Sequence, residues 1–171
     1  MCTNHQGYPR GFALIEVLIY VGIIGMVLSA SAALVSFANH ARAKQAVERE
    51  VEDQGRQVLE YILRTARQST GIISPALGTS DTSLSLSVGI SSASPTVIAI
   101  SGDALYSTEG VSSAVSLTNS NVFVTDFTVQ NLSRSDTPGT VRVSFTVSGT
   151  VVGGNQPFVY SQTFYGAASL R

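Results

Sequence analysis

The sequence predicts an α+β fold: one long N-terminal helix, half membrane-spanning and half amphipathic, packed against a C-terminal antiparallel β-sheet. Three observations predict it. Residues 17–38 form a run of 22 without a charged side chain. Residues 12–68 contain no proline and are dominated by Ala, Leu, Val, Glu, Arg and Gln, the vocabulary of helix. Beyond Ser69-Thr70-Gly71 the composition shifts to Ser, Thr, Val and Gly, with apolar residues alternating as strands require.

The elements follow in chain order. Residues 1–11 are a short polar leader with Gly7, Pro9 and Gly11. Residues 12–68 read as one helix, about 85 Å long at 1.5 Å per residue. Its first half, residues 12–41, holds the uncharged run, about 33 Å of helix and so matched to the hydrocarbon thickness of a bilayer. Gly22 and Gly25 lie inside the run, as small residues for helix packing or as points where the helix loosens. The second half, residues 42–69, carries eleven charged residues from Arg42 to Arg67. Ala43, Val47, Val51, Val58, Ile62 and Ala66, with Leu59 and Leu63 beside them, recur there at three- and four-residue spacing, an amphipathic stripe. The charges are a solvated face or take part in interchain pairing. Gly55 sits on the stripe, where it permits a close approach of the sheet or bends the helix.

Residues 70–171 are the sheet domain. Strands are expected at 84–88, 96–100, 104–107, 122–129, 141–147 and 158–164, with Ser101-Gly102-Asp103, Pro138-Gly139 and Gly153-Gly154-Asn155 between them. Successive strands with short connections argue for antiparallel pairing. One face of such a sheet must be covered, and the helix stripe from Val47 to Ala66 is the apolar surface to cover it.

The residue that asks for an explanation is Glu16. A carboxylate inside a membrane-spanning segment costs roughly 2.5–3.5 kcal/mol on insertion scales, which makes it a functional-site hypothesis. If the chain is cut after Gly11, Phe12 carries a free ammonium four residues before Glu16, on the same helix face. The charges then pair within one chain or between neighbours. The alternative is an ordinary signal sequence, for which Ala30-Ser31-Ala32 offers a cleavage site after Ala32.

Arg10-Gly11-Phe12-Ala13-Leu14-Ile15-Glu16-Val17-Leu18-Ile19 resembles the class III signal of type IV prepilins and type II secretion pseudopilins. The resemblance covers the leader and the first helix, about a third of the chain. It implies the pilin fold, cleavage by prepilin peptidase between Gly11 and Phe12, N-methylation of Phe12, and Glu16 as the filament-assembly residue. It implies a single-pass protein of the cytoplasmic (inner) membrane with its leader on the cytoplasmic side and its β-domain outside. Its partners would be prepilin peptidase, other pilins or pseudopilins through the N-terminal helix, and an inner-membrane assembly platform. Family members often carry a proline near position 33, where this chain has Ala33. A weaker similarity, to J-type minor pseudopilins, rests on residues 117–129, Val141-Arg142-Val143-Ser144-Phe145 and the terminal Leu170-Arg171, with Asn119 standing where those proteins carry Ser.

Other function classes find little. Net charge is −1, and residues 70–171 hold only Arg134, Arg142 and Arg171 as cations against five acids, so no nucleic-acid interface is expected. The same residues contain no His, Cys or Lys; His5, His40 and Cys2 all lie before them. No catalytic residues, metal site or cofactor are therefore expected, and the chain is not read as an enzyme. Asp81, Asp103, Glu109, Asp126 and Asp136 are oxygen ligands without calcium-loop spacing. The function expected is a minor pilin or pseudopilin, a structural subunit of a type II secretion or type IV pilus-like filament. The alternatives are a major or competence pilin, or a tethered binding module or adhesin that does not polymerise.

Overall fold

The computed structural model describes residues 14–135, 139–151 and 157–171. Its contacts divide the chain into two compact units between Arg42 and Ala43. Helix α1 runs without interruption over Leu14–Gln68, 55 residues, and carries Arg67 in its last turn, a cation placed to complement the negative end of the helix dipole. Ser69 follows directly. Its hydroxyl donates to the Ala66 carbonyl at 2.7 Å, satisfying one of the acceptors orphaned where a helix stops.

The described residues of the N-terminal unit, from Leu14 on, are a bare helix with its apolar side chains exposed. Two of its serines bond back to the helix: Ser29 donates to the Met26 carbonyl and Ser31 to the Val27 carbonyl, each at 2.8 Å. Such back-bonding lets hydroxyls sit on a helix in apolar surroundings without a further partner.

In the second unit the helix is covered, and its inward positions are Val51, Gly55, Val58, Ile62 and Ala66. Strands β1 (Ser69–Ser74), β3 (Ser83–Val88), β4 (Thr96–Ser101), β5 (Ala104–Glu109) and β6 (Val115–Ser116) form one antiparallel sheet in the order β1-β3-β4-β5-β6. Strands β2 (Ser80–Asp81), β7 (Val122–Asn131), β8 (Thr140–Val151) and β9 (Phe158–Ser169) form a second, ordered β2-β7-β8-β9. The sequence predicts one sheet, and the chain builds two. The helix needs both, because its stripe has flanks: Tyr61 hydrogen-bonds Ser107 of β5 at 2.9 Å on one side, and Leu59 and Leu63 lie against Gly166 of β9 on the other. The sheets are stitched where the Val124 N–H donates to the Asp103 carbonyl at 2.8 Å.

The helix tracks β9 for the strand's whole length. Lys44 Nζ stands 4.8 Å from the centre of the Phe158 ring, Gly55 meets Phe164, Leu59 and Leu63 meet Gly166, and Arg67 shares a cleft with Ser169. Twenty-three residues of helix and eleven of strand each advance about 35 Å, which is why the match persists. Gly55 thus serves close approach: a Cβ there would stand 2.1 Å from Phe164 Cε2 and Cζ. Phe164 in turn stacks on Phe145 at 5.6 Å between centroids, and Phe145 meets Phe127 at 6.5 Å. These rings join Val58, Ile62, Leu84, Leu86, Ile98 and Leu105 in one buried cluster.

Strand β7, expected from the sequence over 122–129, carries an irregularity. Its register against β8 shifts between Thr125 and Thr128, where Asp126 takes a left-handed φ of 57°. The extra residue restores the phase. Val122 and Val124 point inward before the bulge, Phe127 and Val129 after it.

Candidate functional site

Gly11 and Phe12, the cleavage and methylation positions expected from the sequence, lie outside the described residues. Glu16 lies in the first turn of α1 as described, exposed, with Leu14, Ile15, Ile19 and Tyr20 around it also exposed. The surface beyond it is uncharged, mostly apolar and open, from Val17 through Met26 to Phe37. Gly22 and Gly25 have nothing within 4 Å of where a Cβ would stand, so another backbone can approach there. The helix is long and apolar enough to cross a membrane, and the most apolar part of it is entirely unburied. His40 is likewise exposed near the end of this stretch.

The arrangement is one of missing partners. About two dozen residues of apolar helix are left without protein contact, and at one end of them sits a single acid. Lipid or a bundle of like helices can cover the apolar part. Only a cation or hydrogen-bond donors can satisfy a carboxylate once water is withdrawn. Comparison with protein families, with curated proteins and with solved structures finds no match to this chain.

The sheet domain holds other polar features, several of them tied into the fold by hydrogen bonds. Asp81 accepts hydrogen bonds from the Ser74 hydroxyl at 3.0 Å, the Thr82 N–H at 2.7 Å and the Ser83 hydroxyl at 3.3 Å, which hold its carboxyl below the ordinary carboxylate value, the Ser74 bond foremost. Among the described residues no three His, Cys, Asp or Glu side chains gather as a metal site; Asp81, Asp103, Glu109 and Asp126 stay apart, and Asp136 lies outside the described residues. Asn119 donates its Nδ2–H to Glu50 of the helix and accepts the Asn121 N–H at 3.0 Å, tying the loop before β7 to α1. A cleft of about 560 Å³ opens beside this contact, lined by Val47, Glu50, Asn121 and Phe123.

Sequence reasoning missed the pairing of Glu50 with Asn119 and the cation–π contact of Lys44 with Phe158. Both join residues far apart in sequence, and neither has a local signature. A further open cleft, about 540 Å³, brings Arg64, Arg67 and Arg171 together at the end of the helix.

Proposed function

We propose that this chain is a filament subunit of the pilin type, a minor pilin or pseudopilin of a type II secretion or type IV pilus-like fibre. The observation that carries the reading is the contrast along one continuous helix. From Val51 to Ala66 it buries a stripe under two sheets, while from Leu14 to Phe37 it buries nothing and carries one acid, Glu16. In this reading prepilin peptidase removes residues 1–11, and Phe12 becomes a methylated N-terminus. The subunit waits in the cytoplasmic membrane with the β-domain outside, held by its helix and served by an assembly platform. On assembly the exposed helices pack together, water is lost, and Glu16 meets an N-terminal ammonium of its own or a neighbouring copy. An unpaired carboxylate in that bundle would be costly, so the pair sets the register between subunits. The α+β layout and the Gly11-Phe12…Glu16 spacing support this assignment together.

Intact-mass measurement on protein extracted from native membranes tests it. The expected species lacks residues 1–11 and carries one added methyl. A species beginning at Met1, or one cut after Ala32, overturns the proposal.

A further inference from the structure

Sheet edges expose unpaired N–H and C=O groups, and proteins that stay apart blunt them with short strands, bulges, prolines or charges. Three of the four edges here are blunted. Strands β2 and β6 have two residues each. Strand β1 has six, and its ladder is broken by register shifts on both sides of Gly71-Ile72.

The fourth edge is β9, and it has none of these devices. It is 12 residues long, Phe158–Ser169, without a proline or a charged side chain. It pairs residue for residue with β8 from Thr140↔Ser169 to Val151↔Phe158 with no bulge, so its far side is a regular template. Among the described residues, no hydrogen bond from another strand or loop reaches that side.

The geometry points to a second copy of the chain as the occupant: β9 of one copy adds antiparallel to β9 of another across a two-fold axis, joining two four-stranded sheets into one of eight. An uncharged edge offers no like-charge repulsion to itself, and among the described residues no other edge strand matches the twelve residues of β9. The symmetry also keeps the faces matched. With Thr163 on the axis, Thr163 faces Thr163, Ser161 faces Tyr165 and Val159 faces Ala167, all on the side away from the helix. Thr–Thr and aromatic pairs of this kind favour cross-strand association.

The size of the contact sets where it forms. Twelve residues span about 40 Å, and an edge strip about 10 Å deep gives about 400 Å² per copy. The total, about 800 Å², falls below the roughly 1,000 Å² of a self-sufficient interface. The pair is therefore weak in dilute solution and forms where copies are concentrated by a shared membrane, a step that rests on the anchoring proposed above.

The test uses the full chain in a Cys2→Ser background, in native membranes, with a short bifunctional maleimide whose reach covers directly opposed and diagonal residues. Thr163→Cys is expected to give a homodimer at least about tenfold faster than Val111→Cys, a control on a fully exposed loop. Adding Tyr165→Lys, which puts a charge on the edge, should return the rate to that of the control. Equal rates for the two single-cysteine chains overturn the inference, as does an adduct with a different protein. Repeating the experiment with Glu16→Ala separates the two proposals: a dimer that persists there while filaments are lost shows β9 pairing to be independent of the N-terminal register.

Discussion

The Phe164 ring occupies the place where a Cβ on residue 55 would stand, with Cε2 and Cζ both 2.1 Å from that point. In water Gly55→Ala would strengthen a helix by about 1 kcal/mol. Here it forces the ring aside, and the ring is held by its stack on Phe145. Overpacking of this kind costs about 1–3 kcal/mol. Gly55→Ala is expected to lower the melting temperature by several degrees, and Gly55→Ala with Phe164→Leu to recover part of the loss. A stabilised single variant would show that the ring yields freely.

Asn131 is a buried tie between loops. Its Nδ2–H donates to the Pro75 carbonyl at 2.8 Å and its Oδ1 accepts the Ser133 N–H at 3.0 Å. Asn131→Ala leaves both groups short of a partner and should cost about 1–3 kcal/mol, read by chemical denaturation. No loss would mean that water replaces the side chain.

Asp81 contributes an acid-dependent term. Its carboxyl is held below its ordinary value in the folded chain, so its stabilisation is complete above that value and disappears as pH falls through the lower, folded one. The difference in melting temperature between the wild-type chain and Asp81→Ala should therefore be constant at neutral pH and shrink below about pH 4. A difference that grows on acidification contradicts the assigned hydrogen bonds.

In the proposed filament, Glu16→Ala takes the one acid out of the apolar helix and leaves an N-terminal ammonium unpaired in the assembled bundle. Breaking one side of a buried pair costs about 3–5 kcal/mol, more than a hundredfold in an association constant. Sheared filament should fall accordingly with membrane content unchanged. Undiminished filament would detach Glu16 from assembly.

Periodicity made most of this fold readable. The stripe from Val47 to Ala66 and the alternation Leu84-Ser85-Leu86 each report one covered face, and both faces are covered as expected. Strands β2 and β6 are too short to carry a period, and β1 begins in Ser69-Thr70-Gly71, residues that compose a turn as readily as a strand. The bulge at Asp126 left a trace, since the apolar phase slips between Val124 and Phe127, yet a slip alone does not say which residue leaves the ladder. The two readings of Gly55 were separable only by Phe164, a residue brought to it by folding. Glu16 is legible for a different reason. It breaks the apolar pattern around it, and that pattern is local.

The alignment of α1 with β9 has a mechanical consequence. Lys44, Gly55, Leu59, Leu63 and Arg67 meet the strand at points spread along a common direction. A pull along the helix axis loads all of these points side by side, in shear, so none yields before the others. A pull across the axis peels them in succession. The β-domain is thus toughest against tension applied through its own helix, the load that the proposed fibre would place on it.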